Sequence, residues 1–278
     1  MNILLTGASG FLGCHISEAL LNAGHIVKPL SRRDGSHFSL MCEPSRWLTH
    51  LTGIDAVINA VGIIAETRTQ RFEAIHTLAP IALFKACEQA GIRRVIQISA
   101  IGTEECAFSQ YHQSKFKADQ FLRHLDLDWL ILRPALVYGA GGTSTSLLMR
   151  LAKLSWIPVV NRGNQFLQPI HISDVASGVV NALVSSEHRQ TIDLVGPETI
   201  RFADLLQAMR RAQGLDPARL ISIPRHLTLA SLFLGQFLHP LLHPDNLRML
   251  EASYVADVRP TIKLLGQPPQ SVLSGLFS

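Results

Sequence analysis

Three glycines at intervals of three, in Thr6-Gly7-Ala8-Ser9-Gly10-Phe11-Leu12-Gly13, constrain this chain more than any other feature. A leucine and β-branched run at 2–6 precedes them and reads as a buried strand. Apolar residues at helical spacing follow over 11–23, and Gly24 stops them. Gly7 permits a tight turn, Gly10 lets backbone approach a pyrophosphate with no Cβ between, and Gly13 lets the helix pack close on the sheet. A dinucleotide's diphosphate then meets free N–H groups and the positive end of the helix dipole. Ser9, Phe11 and Leu12 complete the expected contact set.

Further along, strand and helix patterns alternate. Strands are expected at 26–30, 56–60, 95–99 and 129–132. Helices are expected at 70–90, entered or kinked at Pro80, and at 111–124. Segment 31–50 shows no regular pattern. Near-continuous apolar strands separated by helices predict a parallel sheet covered on both faces, an α/β fold of the doubly wound Rossmann type. After Tyr138 and the glycine loop 139–142 the order loosens into a helix at 173–185, a strand at 191–195 and a helix at 202–213. The tail from 223 is mostly helical. Residues 1–140 read as the nucleotide-binding core. Residues 141–278 read as a smaller, mostly helical C-terminal lobe that shapes a substrate pocket, with the strand at 191–195 returning to the sheet.

Composition narrows the function classes. With 278 residues, 47% hydrophobic and 17% charged, the chain can bury a substantial core. The net charge of +4 comes from scattered pairs such as Arg93 and Arg94 or Arg210 and Arg211, not from a dense basic run. That suits an anionic small molecule and argues against nucleic acid as partner. Cys14, Cys42, Cys87 and Cys106 have neither metal-ligand spacing nor disulfide density, and the histidines show no metal pattern. A reducing, cytoplasmic setting without a metal is expected, with Cys14 a small buried filler. No basic segment precedes the first strand, so no signal peptide is expected. The apolar stretch 227–238 falls short of the ~20 residues a membrane span needs. It reads as a buried helix, with a pocket wall or a membrane-surface helix as alternatives.

The end of the second strand bears on the cofactor. A carboxylate there would accept from a ribose 2′-hydroxyl, but the chain has Ser31-Arg32-Arg33. A guanidinium pairs with a 2′-phosphate, which favours NADP(H) and leaves NAD(H) as the second option. A second motif, Tyr111-His112-Gln113-Ser114-Lys115, opens a predicted helix. Spacing of four sets phenol and ammonium on one face, where the ammonium is expected to pull the phenol's pKa down and enable proton exchange with a carbinol or carbonyl.

With the glycine loop, these residues resemble the short-chain dehydrogenase/reductase superfamily. The match is closer to its extended and atypical branches, and especially to the group akin to the Rossmann accessory subunit of respiratory complex I. The resemblance covers roughly residues 1–195, including Val57-Ile58-Asn59-Ala60-Val61-Gly62, Arg133-Pro134-Ala135-Leu136-Val137-Tyr138-Gly139 and Pro169-Ile170-His171-Ile172-Ser173-Asp174-Val175. It implies that Gly7, Gly10 and Gly13 hold pyrophosphate and Arg32 the adenosine ribose phosphate. Ala60, Val61 and Gly62 would line the cofactor cleft, and Pro134 and Val137 would face the nicotinamide carboxamide. Lys115 would hold the nicotinamide ribose and tune Tyr111, which handles the proton of a hydride transfer.

One departure matters. The superfamily's catalytic Ser or Thr falls on Ala100, with Ser99 one place early and therefore on the opposite face of the strand unless its end bends. Thr103 is a second candidate from the loop. Two functions follow: an NADP(H)-dependent oxidoreductase or epimerase-like enzyme using Tyr111, Lys115 and Ser99 on a small carbonyl, sugar-nucleotide or lipid-like substrate, or a catalytically weak cofactor-binding redox sensor or accessory subunit. A homodimer is compatible with either. His171 and Asp174 resemble a catalytic pair, but Asp174 or Ser173 is expected to cap a helix instead. His112 is expected on a helix surface.

Overall fold

The computed structural model describes residues 1–32, 35–235 and 243–276. Its core runs β1 (Asn2–Thr6), α1 (Phe11–Asn22), β2 (Ile26–Leu30), α2 (Ser45–Leu51), β3 (Ala56–Asn59), α3 (Ala79–Gln89), β4 (Arg94–Ile98), α4 (Gln110–Arg123) and β5 (Asp128–Pro134). Then come β6 (Val137–Tyr138), α5 (Thr143–Ala152), β7 (Trp156–Val160), β8 (Phe166–Leu167), β9 (Ile170–His171), α6 (Ile172–Val184) and β10 (Gln190–Leu194). The remainder is β11 (Ile200–Arg201), α7 (Phe202–Arg211), β12 (Arg219–Ile223), α8 (Arg225–Gly235), α9 (Pro244–Glu251), α10 (Arg259–Leu265) and α11 (Val272–Gly275).

Six strands make one parallel sheet in the order β10-β5-β4-β3-β1-β2. Alternate strand residues face opposite sides, and both sides are covered, which is why these strands are apolar without interruption. Leu4, Val57, Val95 and Ile131 pack with Trp47, Leu83, Phe84 and Leu122 on one face. Ile3, Leu5, Ile58, Ile96 and Leu130 meet Ile16, Leu20, Val175 and Val179 of α1 and α6 on the other. The chain is a doubly wound α/β protein of Rossmann type. β1 lies between β2 and β3, so the winding reverses there and opens a crevice at the C-terminal strand ends. A third cluster, with Tyr138, Ile157, Phe202, Leu206 and Met209, holds the later elements together.

Several local expectations change. The irregular segment 31–50 contains a 3-10 turn, Phe38–Leu40, and α2, whose Trp47 is buried and donates from Nε1 to the Met41 carbonyl at 2.8 Å. A seven-residue helix shows too little periodicity to be read. The long helix at 70–90 begins as a π-helical turn, Glu73–Leu78, and runs directly into α3, with Pro80 at the junction of the two. α5 and the parallel β7–β12 pair were not anticipated. The described part of the stretch 227–238 is not a buried helix. α8 packs against α9 and leaves Leu227 54% and Phe233 60% exposed, while residues 236–238 lie outside the described residues. Apolar residues alone do not bury a helix, because burial needs a covering face, and Leu227 and Phe233 stay mostly exposed. Among them, no helix is long and apolar enough to cross a membrane. Cys14 is exposed rather than buried, its thiol donating to the Ala8 carbonyl.

Candidate functional site

The glycine loop is built as its spacing requires. Gly7 has φ +70°, and a Cβ there would lie 2.8 Å from the Ala60 carbonyl oxygen at the end of β3. A Cβ on Gly13 would lie 2.1 Å from the Gly7 carbonyl oxygen, so nothing larger fits where α1 crosses the loop. The Gly7 and Ala8 amides donate to the Leu30 carbonyl at 2.9 and 3.4 Å, tying the loop to β2. α1 begins with no side-chain cap and no acidic residue in its first turn, leaving its positive end for an anion. Gly10, Phe11, Leu12 and Gly13 border a cavity of about 560 Å³ at the crevice.

Opposite the loop, the Ser109 hydroxyl caps α4 by accepting from the His112 amide at 3.2 Å. Tyr111, Lys115 and Asp119 follow at spacings of four, which aligns them along one face. The Lys115 ammonium donates to the Ile98 carbonyl at 3.1 Å and lies 5.7 Å from the Tyr111 ring centroid. Burial lowers its pKa to about 8, an effect that the Asp119 charge opposes. Tyr111 departs from expectation: burial, helped by Asp119, pushes its phenol up rather than down. Desolvation of phenolate outweighs the nearby ammonium, so the phenol is held protonated.

Asp119 anchors a buried polar chain beneath this face. Its Oδ2 accepts from the Ser99 hydroxyl at 2.5 Å and its Oδ1 from Gln97 Nε2 at 3.4 Å. Gln97 Oε1 accepts from Asn59 Nδ2 at 2.7 Å, and Asn59 Oδ1 accepts from the Thr6 hydroxyl at 2.6 Å. The chain thus crosses β4, β3 and β1, and burial raises the Asp119 pKa to about 6 against these hydrogen bonds. Ser99 borders the cavity but turns its hydroxyl to Asp119, while Ala100 presents only a methyl group. Thr103 is buried behind them, its hydroxyl 3.4 Å from Ser99 Oγ.

Two histidines and a tyrosine complete the wall. His76 is buried and neutral, its pKa driven well down by burial and then by Lys115. Its Nε2 accepts from the Ile63 amide at 3.0 Å and its Nδ1 lies 3.0 Å from the Ser114 hydroxyl, clamping the loop after β3 to α4. His112 is not a surface residue: it is buried, borders the cavity and meets the Ser109 hydroxyl at 2.9 Å. Burial lowers its pKa to about 4. Its ring packs edge-on between Tyr111 at 5.1 Å and Tyr254 at 5.4 Å. Tyr254 covers Gly102, where a Cβ would fall 2.4 Å from its ring.

Of the residues singled out from sequence, Gly10, Phe11, Leu12, Gly13, Ala60, Val61, Gly62, Ser99, Tyr111, Lys115, Pro134 and Val137 border this one cavity. Gly7, Ser9, Ser31 and Arg32 lie outside its walls. Arg32 is exposed just beyond β2, 3.4 Å from the Gln70 side-chain oxygen. Arg33 lies outside the described residues. His171, rather than Ser173 or Asp174, caps α6 by accepting from the Ser173 amide, while Asp174 accepts from the Gln270 amide at 2.8 Å. Asp119 was legible as a third member of the spacing-of-four face. His76 and Tyr254 carried no signal, because only folding brings them to α4.

A model of the NAD dependent epimerase/dehydratase family matches residues 3–194. A ceramide reductase of Caulobacter vibrioides is 29% identical over 239 residues, covering 80% of this chain and 73% of that protein. The mitochondrial NADH dehydrogenase (ubiquinone) 1 alpha subcomplex subunit 9 of Arabidopsis thaliana is 28% identical over 226 residues, covering 73% of this chain and 56% of that one. Among solved structures, a nucleoside-diphosphate-sugar epimerase from Staphylococcus aureus superposes with a TM-score of 0.77 at 17% identity, covering 100% of each chain. MoeE5 in complex with UDP-glucose and NAD gives 0.74 at 20% identity, covering 99% and 96%.

Proposed function

The chain belongs to the NAD dependent epimerase/dehydratase family, and from that premise we propose that it is an NADP(H)-dependent oxidoreductase acting on a carbonyl or alcohol. The observation that carries the proposal is the meeting of Tyr111 and Lys115 with the glycine loop across one cavity. The cofactor fits the residues present: the Gly13 site excludes any Cβ, and the first turn of α1 is uncapped. A bound nicotinamide would supply or accept the hydride. Gly7, Ser9, Gly10, Phe11, Leu12 and Gly13 would hold the diphosphate, and Ala60, Val61, Gly62, Pro134 and Val137 the nicotinamide end. Ser31, Arg32 and Arg33 would meet the adenosine ribose, with Arg32 pairing a 2′-phosphate.

Tyr111 would donate its proton to a carbonyl oxygen, the role its raised pKa suits, so reduction is the favoured direction. That direction agrees with the name of the Caulobacter relative. Lys115 would hold the nicotinamide ribose and supply positive charge beside the phenol. Ser99 would act through Asp119 on Lys115 and Tyr111. A cytoplasmic setting belongs to the proposal and is supported by four free thiols. Residues 1–140 would form the cofactor domain and 141–278 the substrate lobe.

Ala100 favours a second reading, an NAD(P)H-binding accessory or sensor protein of low activity, since a substrate oxygen there loses one hydrogen-bond donor. Titration with NADPH and NADH, followed by nicotinamide fluorescence, tests the cofactor assignment. NADPH binding is expected to be tighter and to weaken ~10-fold or more in Arg32→Ala, the worth of a charge-assisted hydrogen bond. NADH preference would refute the assignment. NADPH binding without carbonyl turnover would favour the second reading.

A further inference from the structure

The cavity is almost without charge. Beyond the glycine loop its far wall is made by Leu136, Leu147, Leu148, Leu167, Phe202 and Met249. Lys115 is the one Asp, Glu, Lys or Arg among its described lining residues, His112 being held neutral by burial, and its ammonium already serves the Ile98 carbonyl on the cofactor side. Of the polar groups on the far wall, which include Thr143, Ser144 and Asn246, Gln168 is engaged within the protein. Gln168 donates to the Gly196 carbonyl and accepts from the Ala256 amide, both at 2.9 Å. Three arginines of the C-terminal half are engaged elsewhere: Arg210 binds the Ala152 and Leu154 carbonyls, Arg201 pairs with Asp204, and Arg225 with Glu251.

A buried diphosphate needs cations or several free donors, and leaving it without them costs its hydration. Apolar chain, by contrast, gains from every surface it covers on this wall. We infer that the substrate is an uncharged, long-chain carbonyl compound or alcohol, not a nucleoside-diphosphate sugar. The inference names the substrate class of the proposed oxidoreductase and rests on that reading of the site. The polar end of such a molecule lies toward Tyr111, and its hydrocarbon runs along α5 and α9 toward Leu147 and Met249.

The test is calorimetric titration of the full chain, with and without saturating NADPH, using 2-heptanone, 2-nonanone and 2-undecanone, and separately UDP-glucose. Affinity is expected to rise about fourfold per methylene while chain remains to be buried. Leu147→Arg and Met249→Arg are expected to weaken 2-undecanone at least tenfold and leave NADPH affinity within twofold. Both residues are only partly buried and outside the packed clusters, and retained NADPH binding reports that each variant is folded. A flat chain-length series, or UDP-glucose binding tighter than 2-undecanone, overturns the inference. If the ketones bind with the expected series but NADPH is never oxidised, the hydride-transfer reading fails while the substrate-class inference stands.

Discussion

Replacing Asp119 by Asn isolates the energetic cost of the buried polar chain. In the folded protein this carboxyl titrates near 6 rather than 3.8, because burial opposes its charge more than Ser99, Lys115, Arg123 and Gln97 favour it. A raised carboxyl pKa contributes stability that is fully present below the unfolded value and lost as pH rises through the folded one. The displacement from 3.8 to about 6 is worth about 3 kcal/mol. Asparagine keeps the shape and can still accept the Ser99 proton, but has no charge to titrate. Lys115, with a pKa of about 8, stays protonated across this range, so its attraction for the carboxylate is already contained in the value. Urea unfolding of both proteins between pH 4 and 7 is the assay. The stability of the native protein minus that of Asp119→Asn should fall by about 2 kcal/mol from pH 4 to pH 7, the part of the total that lies above the unfolded pKa. A difference flat to within about 0.5 kcal/mol would mean that the carboxyl is not desolvated and that the buried chain is misread.

Four further outcomes follow from the same geometry. Tyr111→Phe removes the proton donor and should abolish carbonyl reduction while leaving NADPH affinity within twofold; turnover retained in that variant would exclude the proposed chemistry. Ala100→Ser adds the missing hydroxyl at the cavity wall and should raise turnover roughly tenfold or more, by the scale of a single oxyanion donor, and unchanged kcat would count against that role. Gly13→Ala drives a methyl into the Gly7 carbonyl, 2.1 Å from the ideal Cβ, and should cost ~3 kcal/mol of stability as well as NADPH binding; urea unfolding at native stability would refute the close packing. Arg133→Leu breaks a two-bond pair with Asp193, at 2.6 and 3.1 Å, and a 3.1 Å bond to the Thr103 carbonyl. It should lower stability by about 2 kcal/mol in the same unfolding assay, and a loss below about 0.5 kcal/mol would show the β5–β10 link to be idle.

What the amino-acid order determined by itself was whatever depends on near neighbours in the chain. The turn at Gly7, the exclusion of a side chain at Gly13, the apolar strands of the sheet and the alignment of Tyr111 with Lys115 all follow from backbone sterics and fixed helical or strand periods. Those are local rules, so the Rossmann architecture and twelve of the cavity-lining residues could be read before the fold was seen.

Other features needed the tertiary structure, because solvation and contacts between distant segments decide them. Whether α8 is covered depends on what stands opposite it, and α8 is left exposed at Leu227 and Phe233. The phenol of Tyr111 rises instead of falling, since burial among Phe72, His76 and His112 outweighs an ammonium one helical turn away. Tyr254 reaches Gly102 across about 150 residues of chain, and the chain from Thr6 through Asn59 and Gln97 to Asp119 links segments more than 100 residues apart. Periodicity says which way a side chain points along its own element. Only packing says what it meets there, and desolvation then sets its charge.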